Sequence, residues 1–280
     1  MRAELGTAAP PSRGEMAIGI DFGASAVKGA AVDLRTGQFV GDRVRILTPQ
    51  PSLPREVVKV MGTVVDRIVE QLTTRAEPVL SAADAAALPV GVGIPSVTRG
   101  GVVLTAANID TSWIGFPAER EMSLAMGRPV VVGNDADVAG LAEVRFGAGR
   151  GQRGTTIVLT IGTGMGTALF VNGRLLPNTE LGHIEMKNRD AEERVAESAR
   201  SRLNLSWKDW AAGFDDYLHL LERLFWPDLF ILGGGGSKRS DNYMQYLTVK
   251  TPVVIATLKN NAGIAGGALL ARDGAAASGE

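Results

Sequence analysis

A chain of 280 residues, 45% apolar and 21% charged, has enough apolar content to bury a sizeable core, as one large domain or two lobes. It holds no cysteine, which excludes disulfides, a thiolate nucleophile and a Cys-based zinc site. A net charge of −1 provides no global field for nucleic acid or a membrane surface, and no stretch approaches the roughly 18 apolar residues of a membrane span.

Residues 1–15, with Gly6, Pro10, Pro11 and Gly14 and no apolar run, read as a flexible lead-in rather than a signal peptide, and the chain as a cytoplasmic protein. Apolar runs at 16–20, 28–34 and 38–47, punctuated by Gly23 and Gly37, predict a strand meander. From 55 to 72 the residues Val57, Met61, Val64, Val65, Ile68 and Leu72 recur at helical spacing. Strands are predicted at 89–94 and 128–132, with a helix near 119–126 between them and another at 135–146 directly after. The pattern then repeats. Strands at 155–160 and 167–171 meet through a glycine-rich turn, helices follow at 191–203 and 207–225, and strands at 228–232 and 252–256 precede a small-residue helix at 262–272. The economical reading is two related α/β lobes around a cleft, a small one over 16–133 and a large one over 134–280. The last helix is available to pack back on the small lobe.

Asp21-Phe22-Gly23-Ala24-Ser25-Ala26-Val27-Lys28 sits at a strand–turn–strand corner. Gly23 lets backbone N–H groups approach an anion, Ser25 offers a hydroxyl, Lys28 a point charge, and Asp21 a carboxylate for a hydrated Mg²⁺. The plainer reading is a hairpin turn with a charged pair. Gly162-Thr163-Gly164-Met165-Gly166 occupies the equivalent corner of the second lobe, where Thr163 and Gly164 could cradle phosphate oxygens. A strand follows it, which sets it apart from a dinucleotide fingerprint. Each corner alone is weak, and the pair is the signal.

Asn134-Asp135 ends one strand and opens a helix. Asn134 suits an N-cap, and Asp137 further along suits the helix dipole. Position favours chemistry as well: ligands of α/β folds bind beyond the carboxyl ends of strands, where a general base needs a carboxylate such as Asp135. Glu180-Leu181-Gly182-His183-Ile184-Glu185 carries one of two histidines, with carboxylates on both sides. Recognition of several hydroxyls is the favoured reading and metal ligation the alternative, although the helical spacing of a zinc enzyme is missing. His219 lies in an amphipathic run and reads as structural. Pro95-Ser96-Val97-Thr98, with Asn108, Asp110 and Trp113, forms either a surface loop or the wall of a polar pocket. Gly233-Gly234-Gly235-Gly236 follows a buried strand, and four glycines in a row point to close backbone approach by something flat, such as an adenine ring.

In this order the motifs resemble the ROK family of sugar kinases, within the acetate kinase/hexokinase/actin superfamily. Asp21, Gly23 and Lys28 match its first phosphate motif, Asn134 and Asp135 its catalytic pair, and the loop from Gly162 to Gly166 its second phosphate loop. Glu180, Gly182 and His183 match its Glu-x-Gly-His, and the four glycines its adenosine motif. The resemblance implies a two-lobed actin-like ATPase (ribonuclease H-like) fold with a central cleft. Asp135 becomes the general base. Pro95, Ser96, Asn108, Asn134, Glu180, His183 and Glu192 become sugar ligands, and Asp21, Gly23, Ser25, Lys28, Thr163, Gly164, Gly234 and Gly235 hold the donor, with Mg²⁺ bound indirectly through Asp21.

The chain also departs from the family. The Cys-rich zinc loop that follows the Gly-His motif is replaced by the short polar stretch 186–193, so no zinc is expected. By spacing Glu192 stands for the sugar-binding Glu after that loop, with Glu185 and Glu193 as alternatives. The sugar loop's Pro-Gly is Pro95-Ser96 here. This zinc-less pattern is similar to the polyphosphate glucokinases and polyphosphate/ATP glucomannokinases of the family. It implies glucose, and mannose as a further acceptor, with inorganic polyphosphate or ATP as donor. Arg145, Arg150, Arg153, Lys238 and Arg239 then form either a track for a long polyanion or solvated faces. The family habit implies a homodimer. Kinases for another (N-acetyl) hexose, sugar-binding proteins without catalysis and sugar-responsive repressors are the competing outcomes. A repressor needs a DNA-reading helical module, which residues 1–15 are too short to form.

Overall fold

The computed structural model describes residues 11–74, 77–106 and 108–277. The expected flexible lead-in falls largely outside them; its last residues, Arg13–Glu15, form one 3-10 turn in which Ser12 and Glu15 exchange hydrogen bonds.

The first meander runs β1 (Met16–Phe22), β2 (Ala26–Asp33) and β3 (Phe39–Leu47), antiparallel throughout. Helix α1 (Pro54–Thr73) opens with a proline at its first position, where no N–H is needed, and buries Val57, Met61, Val64, Val65, Ile68 and Leu72. After the short α2 (Ala82–Ala86), β4 (Val90–Ile94) pairs parallel to β1. A two-residue hairpin, β5 (Thr98–Arg99) with β6 (Val102–Val103), follows. Then come α3 (Ala118–Met126) and β7 (Val130–Asn134), which completes a sheet ordered β3-β2-β1-β4-β7.

Helix α4 (Asp135–Phe146) leads from β7 to the second sheet. There β8 (Thr155–Ile161), β9 (Met165–Val171) and β10 (Arg174–Leu176) form the antiparallel part. After α5 (Glu192–Val195), α6 (Glu197–Arg202) and α7 (Trp207–Phe225), strands β11 (Leu229–Gly233) and β12 (Val253–Ile255) add in parallel, giving β10-β9-β8-β11-β12. The two sheets therefore share one plan: a meander, then parallel strands reached through helices. Helix α8 (Ala262–Ala277) closes the chain.

Each sheet has its own core. Ile18, Ile20 and Val92 pack under α1 with Phe22 and Trp113, whereas Trp210, Phe214 and Tyr217 of α7 cover the second sheet with Tyr243. Helix α8 lies on the other face of the first sheet, in backbone contact with it. A Cβ on Gly19 of β1 would overlap the carbonyl oxygen of Ile264, and one on Gly91 of β4 that of Gly267. A Cβ on Gly266 would likewise overlap the carbonyl of Val138 in α4. Glycines on strand and helix thus set how deeply α8 seats.

The helix expected at 191–203 is two helices. Ala196 is extended (φ −65°, ψ 155°) between α5 and α6. The break has a tertiary cause: the amides of Glu197 and Ser198 donate to the Gly162 carbonyl (3.0 and 3.4 Å), and Ser198 Oγ to the Thr163 carbonyl (2.5 Å). Among the described residues no helix is long and apolar enough to cross a membrane.

Candidate active site

Strands β1, β4 and β7 run in one direction and end at Phe22, Ile94 and Asn134, so Asp21, Ser96 and Asp135 gather at one edge of the first sheet. The parallel pair β8 and β11 ends at Ile161 and Gly233. Asp21, Lys28, Asp135, Thr160, Gly233, Gly234 and Lys259 line one cavity of about 190 Å³ there, drawn from both sheets and from the loop before α8.

Lys28 Nζ donates to Asp21 Oδ2 at 2.8 Å. The turn between them is braced: Gly23 N–H bonds the Ala26 carbonyl (3.1 Å), and Thr48 Oγ1 donates to the Gly23 carbonyl (2.7 Å). Ser25 is exposed at its rim. The second corner is tighter still, with Gly162 N–H closing on the Gly164 carbonyl at 3.0 Å. Glu192 Oε2 accepts from the Met165 amide (3.1 Å), and a Cβ on Gly164 would come within 2.7 Å of that oxygen.

Asp135 is the first residue of α4, at the floor of the cleft. Its surface opens on the cavity, but the protein packed around it desolvates the carboxyl and, with the nearby charges of Asp21 and Glu180, pushes its pKa up to about 7. Asn134 serves the cap and the site at once. Its Oδ1 accepts from the amides of Ala136 (2.8 Å) and Asp137 (3.1 Å), and its Nδ2 donates to the Ser96 carbonyl (3.2 Å) and Glu180 Oε1 (3.1 Å). The expected cap is therefore formed by one end of the amide, while the other end joins Ser96 to Glu180.

Glu180, His183 and Glu192 share one neighbourhood. Burial raises the pKa of Glu180, His183 opposes the rise and Glu192 adds to it. His183 Nδ1 lies 2.8 Å from Asp190 Oδ2, which raises the pKa of the imidazole, and its Nε2 lies 3.9 Å from Glu180 Oε2. Of the two alternatives, the Glu185 backbone bridges to Asp190, and the Glu193 carboxylate faces Arg189 at 4.0 Å.

The other expected residues are placed variously. Ser96 is buried next to Pro95, with an Oγ that has no partner among the described residues. Asn108 is exposed, with φ 60°. Trp113, expected in the pocket wall, is fully buried against Phe22 and Phe116, with Nε1 donating to the Ser52 carbonyl (2.8 Å). The glycines after β11 have an internal reason: a Cβ on Gly234, which has φ 76°, or on Gly236 would run into Ile161 of β8. Their close approach is to that strand. Gly235 faces Glu197, whose carboxylate lies 3.3 Å from where its Cβ would stand.

The five cations proposed as one track are not brought together. Lys238 and Arg239 follow the carboxyl end of β11, whereas Arg150 and Arg153 precede β8 at the opposite end of the same parallel pair, about 20 Å away along the strands. Arg145, near the far end of α4, lines a 310 Å³ hollow with Arg272 and with Gly149, Gly151 and Gln152, the neighbours of Arg150 and Arg153. A larger groove of about 940 Å³, beside α7, is lined by His219, Trp226 and Lys250 and contains none of the site residues. His219 Nε2 is 3.0 Å from Thr248 Oγ1 and 3.6 Å from Asp215, a structural role.

Asp190 and Lys259 escaped the sequence reading. Asp190 orients His183. Lys259, with φ 51°, brings a second ammonium to the cavity of Lys28. No helical or strand period marks either one.

The site thus brings the Asp21–Lys28 pair together with a carboxylate of near-neutral pKa and a polar wall of Asn134, Glu180, His183 and Glu192. Residues 17–200 match the model of the ROK family. The polyphosphate glucokinase of Mycobacterium tuberculosis H37Rv is 44% identical over 252 residues, covering 90% of this chain and 89% of that one. The crystal structure of the inorganic polyphosphate/ATP-glucomannokinase of Arthrobacter sp. strain KM superimposes with a TM-score of 0.83 at 44% identity, over 94% of this chain and 99% of that one. A ROK glucokinase from Streptomyces griseus, at 24% identity and a TM-score of 0.74 over 92% and 99%, shares the fold. The architecture is the actin-like ATPase fold of these kinases, and the chain belongs to the ROK family.

Proposed function

We propose that this protein transfers a phosphoryl group from inorganic polyphosphate or ATP to the 6-hydroxyl of glucose, with mannose as a further acceptor. The observation that carries the reading is Asp135: a carboxylate of pKa about 7 on the floor of a cavity it shares with the Asp21–Lys28 pair, next to the Asn134–Glu180 wall. The glucokinase and glucomannokinase relatives supply the substrate classes.

In this mechanism the sugar oxygen attacks the terminal phosphorus in line, the bridging P–O bond breaks, and the donor leaves one phosphate shorter. Asp135 accepts the hydroxyl proton, a contribution on the order of 10²–10⁴-fold. Lys28 and Lys259 neutralise the donor chain; the Gly23 and Gly162 N–H groups close their own turns, which leaves donor amides to the residues inside those turns. Glu180, His183 and Glu192 hold the ring hydroxyls. Mg²⁺ suits the place, because Asp21 and Asp135 are close enough for their charges to oppose each other in a cavity open to phosphate oxygens. Asp21 would hold the ion, which supplies charge neutralisation on the donor. The family likeness also points to a cytoplasmic homodimer.

The test is glucose 6-phosphate formation from glucose and Mg²⁺, with polyphosphate and ATP run in parallel. Product with either donor supports the kinase, and product with polyphosphate its narrower form. No product from either donor overturns the reading.

A further inference from the structure

Asn134 bridges the walls of the acceptor site, and a second bridge was not visible in the sequence. Asn178, in the loop after β10, grips Thr98, in the hairpin after β4, with both ends of its amide: Thr98 N–H donates to Asn178 Oδ1 (3.1 Å), and Asn178 Nδ2 donates to the Thr98 carbonyl (2.9 Å). The side chain thus copies one rung of a β-ladder between elements 80 residues apart in sequence. Asn178 itself is held from below. Its N–H donates to Asp137 Oδ2 at 2.6 Å, and Asp137 is buried in the first turn of α4.

The placement brackets the site. Thr98 stands two residues beyond Ser96, and Asn178 two residues before Glu180; Ser96 and Glu180 are the two groups that Asn134 Nδ2 joins. Asp137 in turn donates its own amide to Asn134 Oδ1. A buried carboxylate is a costly way to fasten one loop, and this one keeps Oδ1 without a partner among the described residues, as Ser96 keeps its Oγ. Asn178 also adopts the left-handed backbone, φ 60°, which few side chains tolerate.

We infer that Asp137 and Asn178 form a clasp that fixes the Ser96 and Glu180 walls to each other before the sugar arrives, and are positioning residues for the acceptor. The inference rests on the sugar-kinase reading above. Neither residue touches the donor cavity, so the clasp acts on acceptor affinity and not on donor affinity. A preassembled wall spends less of the sugar's binding energy on ordering loops.

Asn178→Gly is the discriminating variant. Glycine keeps the left-handed backbone and the N–H to Asp137 and removes only the amide that grips Thr98. The KM for glucose is expected to rise about tenfold, the loss of two hydrogen bonds, while the KM for polyphosphate or ATP stays within about twofold. Amide hydrogen exchange without any ligand reads the clasp directly, and the Thr98 amide is expected to exchange faster in the variant. An unchanged glucose KM in an active variant overturns the inference, even where Thr98 exchanges faster. So does a rise of both KM values together, which marks general loosening. Wild-type protein that makes no glucose 6-phosphate overturns the kinase reading instead, and the two failures are told apart in one assay.

Discussion

Asp135 does the same local job as any helix-opening carboxylate, yet its surroundings give it different chemistry. Desolvation by the protein packed around this cavity-facing carboxyl and the charges of Asp21 and Glu180 hold its proton up to a pKa of about 7. A general base works only when deprotonated, so kcat/KM for glucose is expected to fall as pH drops through that value and to level off above it. Asp135→Asn is expected to lower kcat by about 10²–10⁴-fold and to leave glucose binding measurable by calorimetry. A variant with near-normal turnover removes Asp135 from the role of base. Lys259 invites a matching test on the donor side. An ammonium on a left-handed residue is conformationally expensive, and asparagine fits that backbone better. Lys259→Asn is therefore expected to keep or raise Tm while raising the donor KM about tenfold, the loss of one charged contact. Asp21, Lys28, Asn134, Asp135, Glu180 and His183 could be read in the sequence because glycines and strand ends frame them. Asn178, Asp190 and Lys259 could not, since each acts from an irregular loop on a partner distant in the chain.

At the scale of elements the apolar runs bounded by glycine located the long strands, and the spacing of α1 located that helix. Two-residue β5 and β6 are too short to carry a period, as is three-residue β10. The stretch 191–203 had helical composition throughout; its break at Ala196 comes from bonds to the Gly162 carbonyl, a tertiary demand stronger than local propensity. The packing of α8 was hidden for another reason. Gly19 and Gly91 looked like ordinary gaps in apolar strands, but a helix backbone rests where their side chains would be. Gly19→Ala is expected to destabilise the protein by about 1–3 kcal/mol or more, because the Ile264 carbonyl is backbone and cannot swing aside. Thermal unfolding checks it: a Tm near that of the parent means that α8 shifts freely on the sheet. Gly62, on the open side of α1, is the control, since a Cβ there meets nothing within 4 Å.

The whole molecule carries the electrostatic cost of joining two sheets through one helix start. Asp137, beneath the clasp, is desolvated, and the charges of Glu180 and Asp135 oppose its ionisation; the Asn178 amide only partly offsets this, and the pKa rises from 3.8 to about 7. Between those two values the folded chain keeps a proton that the unfolded chain releases. Stability from this group is thus complete below about pH 4 and is lost as pH rises through about 7, the reverse of a salt-bridged carboxylate. Asp135 follows the same sign, and Glu180 is shifted in the same direction. Asp137→Asn removes one of these ionisations and keeps an oxygen to accept from Asn178. Its urea midpoint is expected to exceed that of the parent by more at pH 8 than at pH 5, where the parent's carboxyl is largely protonated already. Equal differences at both pH values would mean that Asp137 titrates as an ordinary carboxylate. A larger gain at pH 8 would show that the protein gives up stability at working pH to keep an ionisable group under its acceptor wall.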